Sequence, residues 1–155
     1  MGSWAMSKNV GDVIEVPLPS GGFAYAKLLD APLVAFYDCF SDFGLQLEEV
    51  VQAPTAFKIW VMQDVVRARK WKKIGTTDLT LEDLRELKFF SRDAVSKQLI
   101  IHAGHNIQPG TMENCTGLEV AAVWTKPAIE ERLEYHRRGE KSPLLSRHSA
   151  MLSGD

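Results

Sequence analysis

The segment from Gly11 to Leu29, GDVIEVPLPSGGFAYAKLL, constrains the fold most, because it reads as two short strands folded back on each other. One face of the first strand is entirely apolar: Ile14, Val16 and Leu18. Gly21 and Gly22 then provide the positive φ angles that a tight reversal needs. The segment therefore predicts a β-hairpin, and it contains no catalytic motif.

The second strand of this hairpin places small residues on one of its faces. Phe23, Tyr25 and Lys27 point one way, while Ala24 and Ala26 point the other way. Two alanines on one strand face allow a neighbouring layer to approach closely, as the crowded inside of a small barrel requires. We therefore expect a sheet that curls around a dense core.

The size of the chain favours a single domain. A chain of 155 residues buries roughly 70% of the surface of its unfolded form. We expect residues 1–10 to be an N-terminal extension, residues 11–140 to be one domain and residues 141–155 to be a tail. Within the extension, Met1–Ala5 reads as a cloning remnant in front of a natural start at Met6.

The cysteine content and the hydropathy predict a cellular compartment. Cys39 and Cys115 lie far apart and show no paired spacing. The sequence has no signal peptide and no run approaching the roughly 18 apolar residues of a membrane span. We therefore expect a cytoplasmic protein with reduced thiols and no membrane contact.

Further strands are predicted where short apolar or alternating runs lie between turn signals: Leu33–Phe40, Phe57–Met62, Trp71–Gly75, Gln98–His102 and Leu118–Trp124. Because both faces of the run from Leu33 are largely apolar, we expect a central strand there, or a strand covered by later segments of the chain. Three tryptophans are predicted to lie in the core: Trp60, Trp71 and Trp124.

Helical signals are fewer and concentrate towards the end of the chain. We predict a helical turn within Leu45–Val51 and a short helix over Thr80–Leu87, with Thr80 and Asp83 at the positions of a capping box. A C-terminal helix is predicted over Pro127–Arg138, with Gly139 as its stop. The stretch from Gly104 to Gly117 reads as a polar loop, and the chain from Ser142 onward as a loosely held tail. The fold class is therefore α+β: a strand-rich, curled antiparallel sheet or partly open barrel, with a short middle helix and a C-terminal helix.

Residues that could perform catalysis or bind a metal are sparse. His102 and His105 form an H-x2-H pair, but a zinc site needs three or four converging ligands. Cys39 has no histidine near it in sequence to serve as a base. We therefore predict no catalytic residue, no metal and no cofactor, and expect a protein that is not an enzyme.

The basic run after residue 66 supports one alternative function. Five of the seven residues from Arg67 to Lys73 are basic and none is acidic. Four of them, together with an indole, could contact a nucleic acid: Arg67, Arg69, Trp71, Lys72 and Lys73. In the other interpretation Trp71 begins a strand and packs inward while the basic side chains stay in water. The alternation that continues into Ile74 favours this second interpretation, so nucleic-acid binding is the less favoured function.

The N-terminal part of the chain is acidic, because residues 1–66 include eight acidic and three basic residues. Most such surfaces are simply solvated, but a loop that mixes carboxylates with apolar residues is also typical of a docking surface for a basic protein. The candidate partner-binding residues in this loop are Asp42, Leu45, Leu47, Glu48 and Glu49.

Several pieces of the chain, in this order and spacing, resemble one family: GDVIEVPLP, FAYAKLL, PLVAFYDCF, FKIWVM, WKKIG and GLEVAAVWTKPAIEERL. From about Gly11 to Leu133 the sequence resembles the immunity protein 26 family of bacterial polymorphic toxin systems. The resemblance implies a mainly β fold and a protein that neutralises a cognate toxin by binding, without turnover. It implies a protein toxin as the partner and no cofactor.

Overall fold

The computed structural model describes residues 8–153, which form ten strands and six helices. The strands in chain order are β1 (Asp12–Pro17), β2 (Phe23–Leu28), β3 (Leu33–Ser41), β4 (Thr55–Val61), β5 (Lys72–Thr76), β6 (Lys88–Arg92), β7 (Leu99–Ala103), β8 (Asn106–Pro109), β9 (Glu119–Val120) and β10 (Val123–Trp124). The helices are α1 (Leu47–Val50), α2 (Gln63–Val66), α3 (Leu81–Leu84), α4 (Met112–Cys115), α5 (Lys126–Arg137) and α6 (Pro143–Ala150). The predicted remnant Met1–Ala5 lies outside the described residues.

The larger sheet has six strands in the order β10-β4-β3-β2-β1-β5, with β3 in its interior as predicted. The predicted hairpin is confirmed: β1 pairs antiparallel with β2, with Val13 opposite Lys27. Gly21 and Gly22 have φ angles of 107° and 77°, which side chains with a Cβ adopt only at a cost. The other pairs in this sheet are antiparallel, except for the parallel pair β10–β4.

The smaller sheet has four strands in the order β8-β7-β6-β9, and β6 pairs in parallel with β9. The predicted α+β class is confirmed, but the strands form two sheets that each contain one parallel pair, and neither sheet closes into a barrel. The two sheets are joined by the stretch from β9 to β10. The Ala121 amide donates to the Phe90 carbonyl, and the Met62 amide donates to the Trp124 carbonyl.

Three sequence predictions about the C-terminal part of the chain, from Gly104 onward, were wrong. The single strand over Leu118–Trp124 is instead two short strands in different sheets, because its backbone partners change between Val120 and Val123. The polar loop from Gly104 to Gly117 contains β8 and α4. The tail forms α6, whose N-terminus is capped by the Ser142 hydroxyl accepting from the Leu145 amide. Apolar side chains of this segment pack against the hydrophobic core of each of the two sheets.

The inner face of the six-stranded sheet carries the main core. Its strand residues include the predicted apolar face of β1 and both alanines of β2, and α5 closes it with Ile129 and Leu133. Helix α5 runs as predicted, and the chain leaves it through Gly139, whose φ is 76°. Trp71 and Trp124 are buried in this core, as predicted.

Trp60 was wrongly predicted as core. It lies on the opposite, outer face of β4, is half-buried, and packs against Phe89 of the smaller sheet with ring centroids 4.5 Å apart. Its indole therefore lines a boundary between the two sheets.

The difference in burial between these tryptophans predicts a difference in stability. Trp71→Ala removes a fully buried indole and is expected to lower the free energy of unfolding by about 3–5 kcal/mol. Trp60→Ala removes a half-buried ring and is expected to cost less than half of that. Urea unfolding followed by circular dichroism measures both values, and equal losses would contradict the assignment of Trp71 to the core.

Candidate partner-binding surface

The outer face of the six-stranded sheet carries two buried lysines in one cross-strand row. Lys27 of β2 and Lys58 of β4 both lie opposite Ala35 of β3. A buried ammonium group is costly unless its charge and its hydrogens find partners. Both lysines therefore require a polar segment above the sheet.

The segment that precedes and forms α3 supplies these partners. The Lys27 ammonium donates to the Asp78 carbonyl at 2.6 Å and to the Asp83 carboxylate at 2.5 Å. The Lys58 ammonium donates to the Glu82 carbonyl at 2.8 Å. The predicted capping box is present, since Thr80 Oγ1 accepts from the Asp83 amide and the Asp83 carboxylate accepts from the Thr80 amide. The helix begins as predicted but ends at Leu84, because Arg85 is already extended.

These contacts turn the polar side of α3 towards the protein and its leucines towards solvent. Leu81 is 89% exposed and Leu84 is 66% exposed. Burial alone would raise the pKa of Asp83, but hydrogen bonds from Lys27 and Thr80 and the charge of Lys27 lower it below its usual value. The carboxylate therefore remains ionised and holds α3 on the sheet.

The loop between β3 and β4 is fixed on the same face by two other contacts. The Tyr25 hydroxyl donates to the Glu15 carboxylate at 3.0 Å and accepts from the Leu45 amide at 2.8 Å. Burial is the main reason that the pKa of Tyr25 is raised to about 12. Leu47 lies directly over Gly75, where a Cβ would come within 2.7 Å of the leucine methyl. Leu45 and Leu47 are therefore half-buried anchors of their own loop.

The acidic residues predicted for this loop lie on its solvent side. The exposed Asp42 pairs with Arg137 of α5 at 2.6 Å. Glu48 and Glu49 are exposed on α1, and the Glu49 carboxylate accepts from the Gln46 amide at 3.0 Å. Phe43, which the sequence patterns did not indicate as a candidate, is 70% exposed between Asp42 and Gly44. The sequence feature that could have indicated Phe43 is a large aromatic residue that lies outside any alternating pattern.

The basic run follows α2 and ends with Lys72 and Lys73 in β5, an edge strand of the six-stranded sheet. Trp71 is buried, so its indole does not share a surface with the exposed side chains of Arg67, Arg69, Lys72 and Lys73. Lys73 pairs with Asp12 at 3.4 Å. Lysines on an edge strand hinder pairing with a strand of another molecule, which gives Lys72 and Lys73 a structural role.

The structure brings the acidic loop (residues 42–51) and the basic residues of β5 to opposite sides of one cleft. This cleft has a volume of about 380 Å³ and is lined by Gly44, Leu45, Gln46, Leu47, Lys72, Lys73, Ile74 and Glu15. Of the candidate residues of the two rival predictions, Leu45, Leu47, Lys72 and Lys73 line this cleft.

The other residues considered for chemistry do not form a site with one another. His102 Nε2 lies 2.8 Å from the Ser91 hydroxyl, and the exposed His105 ends the turn into β8. Within residues 8–153 no group of three or more His, Cys, Asp or Glu side chains could hold a metal ion. Burial and the charges of Asp38 and Glu49 raise the pKa of the Cys39 thiol, so the reactive thiolate is disfavoured at neutral pH.

Comparison with known proteins places this fold in a family. The family model for immunity protein 26 matches residues 9–99, which is more than half of the chain. The chain belongs to the immunity protein 26 family. The segment matched to the immunity protein 26 family runs from β1 to the start of β7 and contains both the acidic loop and α3, whereas α5 and α6 follow it.

Membership in the immunity protein 26 family implies a role as an immunity protein in a toxin system. No curated protein and no solved structure matches the chain. None of the helices in residues 8–153 has the length and apolar character that crossing a membrane requires.

The lowered pKa of Asp83 predicts how the anchor of α3 depends on pH. The stabilisation is complete above the pKa of an unfolded aspartate, about 3.9, and is lost as the pH falls through the lower folded value. Asp83→Asn should therefore reduce the free energy of unfolding by about 3 kcal/mol at pH 7 and by progressively less below pH 4. Urea unfolding at several pH values measures the difference.

The exposed Asp30, whose side chain has no ion pair among the described residues, provides a matched control as Asp30→Asn. This variant should match the wild type within about 0.5 kcal/mol at every pH. A loss in Asp83→Asn that stays constant from pH 7 to pH 3 would contradict the proposed ionic anchor.

Proposed function

We propose that this chain binds a cognate bacterial toxin and neutralises it by occluding the toxin's working surface, without chemistry of its own. The observation that carries this proposal is the match of residues 9–99 to the immunity protein 26 family. The surface described above supports it, because the matched segment presents charged and aromatic side chains on a rigid support.

We propose the acidic loop as the first contact with the toxin. An exposed aromatic residue is a typical anchor of an interface, and Phe43 is flanked by the carboxylate of Asp42. The exposed Glu48 and Glu49 follow on α1 and favour a basic partner surface, since complementary charge accelerates encounter.

The support beneath this loop favours tight binding. Tyr25 holds the Leu45 amide, Gly75 accommodates Leu47, and Arg137 pairs with Asp42 while also donating to the Gly21 carbonyl. A loop that is already ordered loses little conformational entropy on binding. An inhibitor of a lethal enzyme needs nanomolar affinity, about −12 kcal/mol, normally from an interface of about 1,600 Å².

The decisive experiment co-expresses the chain with the product of the neighbouring toxin gene. We expect the chain to rescue growth, the two purified proteins to form a stoichiometric complex, and the chain alone to convert no substrate. Toxicity that persists although both proteins are folded and present would contradict the proposal, as would rescue without a complex.

Phe43→Ala is expected to weaken binding of that toxin by at least about 30-fold, because truncation of an interface anchor typically costs 2 kcal/mol or more. Isothermal titration calorimetry measures the change. Ile107→Ala is the matched control, because Ile107 is 69% exposed on β8, outside the matched segment. Equal affinities of the two variants would exclude Phe43 as an anchor.

Charge reversal of Glu48→Lys together with Glu49→Lys is expected to slow association about tenfold at low ionic strength and to reduce its dependence on salt. Stopped-flow kinetics at several salt concentrations measures both effects. Glu113→Lys, an exposed charge reversal on α4, should leave the rate within twofold. An unchanged rate in the double variant would remove the acidic loop from the interface.

A further inference from the structure

We infer that the leucines of α3 and the cleft beside them form a second contact surface, which receives an apolar side chain flanked by lysine or arginine from the toxin. The inference rests on the proposed function, since its occupant is the same protein partner. It assigns a binding role to α3, which is not part of the contact proposed above for the acidic loop.

The orientation of α3 is the first observation. A surface helix normally buries its apolar side chains and exposes its charged ones. In α3 this orientation is reversed, because Lys27 and Lys58 of the sheet bind the polar side of the helix. Leu81 and Leu84 are consequently held in solvent on a tethered support, which is the arrangement of a docking surface.

The cleft beside α3 is the second observation. It has a volume of about 650 Å³ and separates α3 from the boundary between the two sheets. Its apolar lining includes Leu33, Trp60, Leu84, Leu87 and Phe89. The half-buried Trp60 and the buried Phe89 pack together in this lining, so a large apolar side chain would find aromatic surface there.

The charges around this cleft indicate the chemistry of the partner. Asp30 and Glu86 line it, are exposed, and form no ion pair with any residue from 8 to 153. The charge of Arg85, which also lines it, is balanced by Glu82 at 3.1 Å. The uncompensated charge is therefore negative and complements a basic side chain next to the inserted apolar one.

The α3 surface and the acidic loop are continuous on the outer face of the sheet. A smaller cleft of about 210 Å³ lies between them, with Val51, Ala53 and Pro54 on the loop side and Thr80 and Glu82 on the helix side. Both surfaces leave a negative charge excess, so one basic toxin surface can contact both.

The test compares Leu81→Gln/Leu84→Gln with the matched control Val95→Gln/Ile107→Gln, which alters two equally exposed apolar residues elsewhere; Val95 is 92% exposed. We expect the first variant to raise the Kd for the purified toxin at least 30-fold and the control to change it less than twofold. The unfolding midpoint should be unchanged in both, because neither removes a buried group. Asp30→Lys/Glu86→Lys should slow association and reduce its salt dependence.

The outcomes separate this inference from the function on which it rests. If the wild type binds the toxin and Leu81→Gln/Leu84→Gln binds it equally well, the inference is overturned and the proposed function stands. If the wild type does not bind the toxin, the proposed function fails and the inference fails with it. If sedimentation shows a wild-type dimer that the leucine variant abolishes, while its affinity for toxin is unchanged, the occupant is a second copy and the inference is overturned.

Discussion

The presentation of the outer surface depends on the desolvated ammonium groups of Lys27 and Lys58. They project from two strands on either side of Ala35, on a face that also carries a buried apolar cluster. Removing their charges from water is unfavourable unless oxygen atoms replace the lost hydration. The chain satisfies this constraint with the carbonyls of Asp78 and Glu82 and with the Asp83 carboxylate, and this choice determines which side of α3 meets solvent.

The loop between β3 and β4 is also held in place by specific contacts, but different groups make them. Its backbone is held by a buried tyrosine, its leucine fits over a glycine, and its end is clamped by α5. Helix α5 covers the inner face of the sheet but also reaches its turns: Glu134 accepts from Ser20, and Arg137 donates to Gly21 and Asp42. The side chains that face solvent are therefore supported by contacts from both faces of one sheet.

Local patterns were sufficient to predict much of this architecture. The hairpin, the central position of β3, the cap at Thr80 and Asp83, and the stop of α5 at Gly139 all follow from short-range periodicity and turn chemistry. Each of these features is decided within a few residues along the chain. They were predicted because no distant partner competes with the local preference.

The features that were missed depend on partners far away in sequence. The strand after Leu118 is divided because its two halves pair with β6 and β4, which lie in different sheets. The leucine repeat of α3 gave no indication that lysines 56 and 24 residues away would bind its opposite side. The same holds for Trp60, whose environment is completed by Phe89 of the smaller sheet.

We propose that the outer face of the six-stranded sheet is a supported docking surface for the toxin of this immunity protein 26 family member. Hydrogen–deuterium exchange of the chain, alone and in complex with the toxin, measures which segments the toxin covers. Residues 42–51 and 78–87 should exchange more slowly in the complex, with α5 unchanged. Slower exchange confined to α5 and α6, with both of those segments unaffected, would contradict it.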